Sequence, residues 1–127
     1  MNKQIVAGIY EAFGRGDLAA VLGALAEEVI WEMPGPAPFS GRRAGRAAVQ
    51  QFFMELMGAV KIEEFAVDVI TGDGDHVVVL GHERCTAHAT GKSYQQVWAH
   101  AFTLKNGKVT DVLLLEDTHA QAQAFAA

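Results

Sequence analysis

The first half of the chain places apolar residues at helical spacing. Residues 2–14 repeat an apolar side chain every three to four positions, which is typical of one face of an amphipathic helix. Asp17 follows a glycine-rich break and is suited to cap a second, short helix over 18–26. A third helix is predicted from about Gly45 to Met57. Its apolar stripe consists of Val49, Phe52, Phe53, Leu56 and Met57.

The apolar period then changes from near four to two, which predicts β-strands. A first strand over 27–33 ends at an alternating proline loop, whose prolines cannot donate ladder hydrogen bonds. Asn106-Gly107 is a strong hairpin signal because both residues accept positive φ. Helices followed by a meander of antiparallel strands define the α+β class. The later strands are predicted over 62–71, 75–89, 92–105 and 108–116, with a weakly helical tail over 117–127.

The tight turns allow a strand register to be predicted. With Asn106-Gly107 as a two-residue turn, His100 faces Leu113. With Thr90-Gly91 treated likewise, His100 faces Gly81 on its other side, which leaves room beside the imidazole. Directly paired and alternate residues share a face of a sheet. One face therefore combines aromatic side chains with a few titratable groups, the composition of a ligand pocket. Its residues are Val79, Gly81, Glu83, Cys85, Tyr94, Gln96, Trp98, His100, Phe102, Leu113 and Leu115.

Five further residues are predicted to belong to this pocket. Trp31 and Met33 share a face of the first strand and either wall the pocket or pack in the core. Tyr10 and Phe53 lie on the apolar faces of the first and third helices. Asp117 shares the pocket face of the last strand, but it can instead cap a terminal helix.

Glu83 and His100 are the candidate catalytic pair. They are diagonal neighbours on adjacent strands, with Cα atoms about 7–8 Å apart, so their long side chains can reach a hydrogen bond. A buried Glu–His pair can act as a tunable acid/base couple. The alternative is a lone polar pair whose members satisfy each other in a core.

The opposite face of the sheet is also apolar in its middle. A sheet that is apolar on both faces needs two covers, and the helices supply only one. We therefore expect a partner subunit in a symmetric homodimer to cover the outer face. A bulge or a one-residue slip would exchange the two faces. The outer residues are predicted to be Val78, Leu80, His82, Arg84, Val97, Ala99, Ala101, Val112 and Leu114.

Composition narrows the function classes. The 127 residues carry a net charge of −5 and no long basic cluster, which argues against nucleic acid. No apolar run approaches the roughly 20 residues of a membrane span, so no membrane partner is expected. The single cysteine, Cys85, fits a reducing cytoplasm. No metal-ligand spacing or phosphate loop is present, so we predict a single cytoplasmic domain over 1–127 with neither metal nor cofactor.

Several segments resemble SnoaL-like and ketosteroid isomerase-related proteins of the nuclear transport factor 2-like superfamily. These segments are YEAFGRGDLAAVLGAL, VIWEMPG, TGDGDHVVVLG and TGKSYQQVWAHAFTLKNGKV. The resemblance covers nearly the whole chain and implies a cystatin-like α+β roll, in which a cone-shaped, curved antiparallel or mixed sheet wraps on N-terminal helices. The family includes isomerases, polyketide cyclases, epoxide hydrolases, dehydratases and binding proteins, so the resemblance is specific for fold and not for activity.

The resemblance also bears on single residues. The general-base Asp of ketosteroid isomerases corresponds to Met33, which cannot accept a proton, and their oxyanion-hole Tyr falls near Ile9 and Tyr10. Their second oxyanion donor corresponds to His100, which can still donate a hydrogen bond. Polyketide cyclases have a His at the place of His100, but their catalytic Asp falls near Leu114. These matches disfavour steroid isomerisation.

We therefore expect a homodimeric protein that binds a small apolar or aromatic metabolite. His100 and Glu83 are expected to serve as acid and base in isomerisation, cyclisation or dehydration. The alternative is a non-catalytic binding or accessory protein on the same scaffold, in which His100 only orients the ligand. A third hypothesis is a protein-interaction module, in which the predicted pocket is part of the packed core.

Overall fold

The computed structural model describes residues 1–127 and contains four helices. The first helix buries Val6, Ile9 and Ala12. The third helix buries Val49, Phe52 and Phe53 of its predicted apolar stripe. The second helix is shorter than predicted because a strand already begins at Leu25, which is completely buried. The helices are α1 (Asn2–Gly14), α2 (Leu18–Gly23), α3 (Arg46–Ala59) and α4 (Thr118–Phe125).

Six strands form one mixed sheet in the order β2-β1-β6-β5-β4-β3. All neighbouring pairs are antiparallel except β1 and β6, which run parallel. The predicted α+β architecture, with helices on a curved sheet, is confirmed. The short strand β2 was not predicted. The strands are β1 (Leu25–Met33), β2 (Gly41–Ala44), β3 (Val60–Asp73), β4 (His76–Ala87), β5 (Ser93–Lys105) and β6 (Lys108–Leu115).

The predicted register between β4 and β5 is wrong by two residues. The connection is longer than a two-residue turn, because the strands end at Ala87 and resume at Ser93. His100 consequently pairs with Val79, and Gly81 pairs with Trp98. Two is an even number, so every side chain of β4 stays on its predicted face.

The predicted register between β5 and β6 is wrong by one residue. A bulge inserts Thr110 as an extra residue, so His100 pairs with Leu114. Because an odd shift exchanges the faces of a strand, Leu113 and Leu115 lie on the outer face and not in the predicted pocket. For the same reason Val112 and Leu114, which were predicted to face outward, lie on the inner face and are buried.

Gly81 makes room for Trp98, and not for the His100 imidazole as predicted. A Cβ atom on Gly81 would collide with the indole ring of Trp98 and with the carbonyl oxygen of Ala66. The indole in turn stacks on the His100 ring, with centroids 4.1 Å apart and planes at 14°. Because Gly81 has no side chain, Trp98 has room to stack on the His100 ring, and this stacking orients the plane of the imidazole.

The outer face of the sheet remains apolar and uncovered within the single chain. Its exposed apolar side chains belong to three strands in the middle of the sheet and to β3. They are Val69, Val78, Leu80, Val97 and Leu115. The inner face packs on the helices and forms the core. None of the four helices is long and apolar enough to cross a membrane.

Substitution of Gly81 by Ala should destabilise the protein by about 1–3 kcal/mol, because the added methyl group overpacks against Trp98 and backbone. Chemical denaturation measures this loss. Gly8→Ala is the matched control, since Gly8 lies in α1 with no atom near its missing Cβ, and it should stabilise by up to about 1 kcal/mol. A Gly81→Ala variant as stable as the wild type would contradict the close packing of Trp98 against Gly81.

Candidate active site

A cavity of about 70 Å³ lies between the inner face of the sheet and the helices. Fifteen of its 19 lining residues are hydrophobic, so the few polar groups in it stand out. Seven residues that the sequence placed in the site line this cavity. They are Tyr10, Trp31, Phe53, Glu83, Tyr94, His100 and Phe102.

His100 lies at the centre of the polar groups. Its Nδ1 atom is 2.6 Å from the Tyr10 hydroxyl, and its Nε2 atom is 3.1 Å from Oε2 of Glu116. The His100 residue is 8% exposed, so little water competes for these contacts. Strand β5 supplies His100, helix α1 supplies Tyr10, and Glu116 directly follows β6. Three separate elements thus converge on one imidazole.

The partners of His100 determine which atoms carry the protons. An ionised carboxylate can only accept, so Nε2 donates its N–H to Glu116. In the neutral imidazole Nδ1 then accepts the Tyr10 O–H. Burial, helped by the negative charge of Glu116, raises the pKa of the Tyr10 hydroxyl and keeps it protonated. The result is a continuous chain of hydrogen bonds from Tyr10 through His100 to Glu116.

Glu116 is ionised although it is buried. Burial alone would raise the pKa of its carboxyl, but the hydrogen bond and charge of His100 and the donors of Gln121 and Gln96 outweigh this and hold the pKa below its usual value. Gln121 Nε2 lies 2.8 Å and Gln96 Nε2 3.2 Å from its Oε1 atom. Each carboxylate oxygen therefore has at least one donor.

The sequence did not identify Glu116 as a site residue. The predicted register placed its neighbours Leu113, Leu115 and Asp117 on the pocket face instead. Only the bulge at Thr110 turns Glu116 inward, and no signal in the sequence marks that bulge. Asp117 caps helix α4, where its side chain accepts from the backbone N–H of Ala120 at 2.9 Å. The second of the two roles considered for Asp117 is thus the one observed.

The sequence suggested a hydrogen bond between Glu83 and His100, but the structure does not contain it. The Oε1 atom of Glu83 instead accepts from Gln96 Nε2 at 2.6 Å, and the same nitrogen also donates to Glu116. The amide of Gln96 is held in this orientation because its oxygen accepts from the backbone N–H of Asp117 at 2.8 Å. Gln96 therefore links the two carboxylates, and it connects Glu83 to His100 only indirectly.

The environment of Glu83 favours its neutral form. Burial, together with the negative charge of Glu116, raises the pKa of the Glu83 carboxyl to about 7, although the hydrogen bond from Gln96 opposes this shift. Near neutral pH this carboxyl is therefore able both to accept and to release a proton. The hydrogen bond from Gln96 engages only Oε1, and the thiol of Cys85 is a further, weak donor to this carboxyl.

Of the remaining predicted residues, Met33, Gln96 and Trp98 surround the site without lining the cavity, whereas Leu113 and Leu115 lie on the outer face of the sheet. Met33 is fully buried in the core, and Trp98 stacks on both Tyr10 and His100. The binding or catalytic role assigned to each residue of the site stays a prediction. Chemically, the cavity combines an ionised carboxylate, an imidazole, a protonated phenol and a carboxyl that titrates near neutrality, which is the equipment for acid/base chemistry.

The fold is shared with solved structures of NTF2-like proteins. An NTF2-like protein of unknown function from Burkholderia pseudomallei K96243 is 32% identical, with 99% of this chain and 98% of that chain covered and a TM-score of 0.90. An NTF2-like protein from Burkholderia xenovorans LB400 is 30% identical, with 98% and 95% covered and a TM-score of 0.90. A protein proposed to be a polyketide cyclase, from Xanthomonas campestris pv. campestris, is 25% identical, with 99% and 100% covered and a TM-score of 0.78.

These similarities place the chain in the NTF2-like superfamily, as the sequence segments predicted. Residues 6–112 match the SnoaL-like domain, and the chain belongs to the SnoaL-like family. Among curated proteins, none matches this sequence significantly.

The raised pKa of Glu83 predicts a pH-dependent stability. The folded value of about 7 exceeds the ordinary value of 4.5, so the stabilising proton is fully present below pH 4.5 and is lost as pH rises through 7. Compared with Glu83→Gln, the wild type should lose up to about 3 kcal/mol of unfolding free energy between pH 5 and pH 8. Urea denaturation at each pH measures the unfolding free energy, and a Glu28→Gln variant at an exposed position is the control. Parallel pH curves for wild type and Glu83→Gln would contradict this.

Proposed function

We propose that this SnoaL-like protein binds a small apolar or aromatic molecule with its reacting group in the cavity and catalyses proton transfer on it, as in isomerisation, cyclisation or dehydration. The observation that carries the proposal is the buried hydrogen-bond chain from Tyr10 through His100 to Glu116 in an otherwise apolar cavity. Polar groups converging in an apolar pocket, with shifted pKa values, are characteristic of active sites.

The proposed acid is the Tyr10 hydroxyl, with His100 behind it. When a substrate oxygen enters, the Tyr10 O–H turns from Nδ1 of His100 to that oxygen and stabilises the negative charge that develops there. If His100 has first taken a proton from water, its Nδ1–H donates to the Tyr10 oxygen, and Glu116 stabilises the imidazolium through Nε2. His100 and Glu116 therefore act through Tyr10 as positioning residues.

The proposed base is Glu83. Its carboxyl lines the same cavity, accepts from Gln96 through only one of its two oxygens and has a pKa of about 7, raised by burial and by the charge of Glu116. A base with a pKa near the working pH combines a useful ionised fraction with a strong tendency to take a proton. Removal of a proton from a carbon next to a carbonyl group is the step for which such a base and an oxygen-directed donor are suited.

Deuterium uptake from D2O tests the catalytic part of the proposal. Methyl ketones, including aryl methyl ketones, serve as probes, and proton NMR follows exchange at the carbon next to the carbonyl. Wild type should accelerate exchange, and Glu83→Gln should lose about a hundredfold or more of that rate because it lacks the base. His100→Ala should lose a similar factor while binding is kept.

The exposed Glu28→Gln variant is the control for the exchange assay and should match the wild type. Binding of the ketones by wild type without any accelerated exchange would contradict proton transfer. The protein would then be a binding or accessory protein on the same scaffold.

We also propose that the outer face of the sheet joins two copies of the chain. Its apolar side chains include Val97, which is 75% exposed, and Leu115, which is 49% exposed. A contiguous apolar surface of this kind is characteristic of an interface, and a symmetric dimer would cover the same patch on both chains.

Light scattering at micromolar concentration should therefore give the mass of a dimer. Val97→Arg should give a monomer, because it places a charge in the middle of the apolar face on both copies. Gln50→Arg adds the same charge to an exposed position of α3 and should leave the dimer intact. A monomeric wild type would contradict the proposal.

A further inference from the structure

The cavity beside His100 is too small to enclose an aromatic ring by itself. A protein cavity of about 150 Å³ accommodates benzene, so the 70 Å³ present here corresponds to roughly three carbon-sized atoms. The polar groups at His100 and Glu83 can therefore contact only the head of a larger ligand. The rest of that ligand needs space elsewhere.

Such space adjoins the cavity. A groove of about 530 Å³ runs between the C-terminal ends of α1 and α3 and the beginning of β3. The groove and the cavity share Phe13, Phe53, Ile62 and Phe65 as walls. The Phe13 ring lies 5.2 Å from that of Phe65 and 5.9 Å from that of Phe53, centroid to centroid. A partition only one side chain thick thus separates the two spaces.

The partition leads directly to the polar groups. The Phe65 ring stacks on Tyr10 with centroids 6.2 Å apart, and the Tyr10 hydroxyl contacts His100. Phe13 and Phe65 are only partly buried, in contrast to the core aromatics. A rotation of these two rings would therefore open a path from the groove to the Tyr10 hydroxyl.

The groove is apolar along its floor and acidic at its rim. Met54 and Met57 line it and are 60% and 54% exposed, and methionine adapts its shape to varied apolar partners. A β-bulge between Ile62 and Glu64 interrupts the strand at this point, and the exposed Glu63 and Glu64 also line the groove. Lys61 and His82 each lie 3.7 Å from one of these carboxylates and partly offset their charge. No basic side chain lines the groove itself, so an anionic group would find no partner there, whereas an uncharged chain needs none.

We propose that the ligand is an elongated, uncharged molecule, with a small carbonyl-bearing head in the cavity beside Tyr10 and a flexible apolar tail that passes between Phe13 and Phe65 into the groove. The identity of the head rests on the proposed function, whereas the tail rests on the groove alone. A fatty carboxylate whose charged end lay in the groove would find no cationic partner among its lining residues.

A series of linear methyl ketones from four to nine carbons tests this assignment, with binding followed by tryptophan fluorescence or calorimetry. The dissociation constant should fall about threefold to fourfold for each added methylene, as expected for burial of each one. Met57→Glu should weaken the nine-carbon ketone at least tenfold and leave the four-carbon ketone within about twofold, since it places a charge only in the groove. The exposed Gln50→Glu variant adds the same charge to α3 outside the groove and should change neither.

An affinity that does not rise with chain length, or one that rises equally in Met57→Glu, would overturn the proposal, as would a series in which no ketone binds. The exchange assay separates failure of the groove proposal from failure of the proposed function. Accelerated exchange of short ketones without a chain-length effect would refute the groove and keep the chemistry. A chain-length effect without exchange would keep the groove and refute the chemistry.

Discussion

The ionised carboxylate of Glu116 lies in an apolar interior, where a charge costs several kcal/mol unless hydrogen bonds offset the loss of water. Its three side-chain donors come from His100 and Gln96 on β5 and from Gln121 on α4. The requirement that Glu116 be satisfied thus ties the last helix to the sheet. It also holds the His100 ring with Nε2 toward the carboxylate and Nδ1 toward Tyr10.

The same charge sets the chemistry of the second carboxyl. Two carboxylates that share one amide donor do not both ionise easily, because each disfavours the charge of the other. Glu116, which has three donors, keeps the charge, while Glu83, whose donors are Gln96 and the weak thiol of Cys85, holds its proton up to about pH 7. Unequal hydrogen bonding therefore turns two identical side chains into an orienting group and a titrating group.

Packing on the other side of the imidazole completes the arrangement. Trp98 stacks on the His100 ring, and it has room there only because Gly81 carries no side chain. Tyr10 stacks on the same indole and approaches His100 from helix α1. The aromatic stack and the carboxylate together restrict the imidazole in both its plane and its tilt.

The sequence by itself determined the α+β class, the family, and the helices and strands other than β2, since these follow from apolar periodicity, turn residues and recognisable segments. It also placed His100, Glu83 and Tyr10 in one interior, because the two-residue error between β4 and β5 is even and preserves faces. Only the tertiary structure decided that Glu116 is the partner of His100. One extra residue at Thr110 reverses the faces of β6, and a bulge is determined by pairing between strands, which local sequence does not encode.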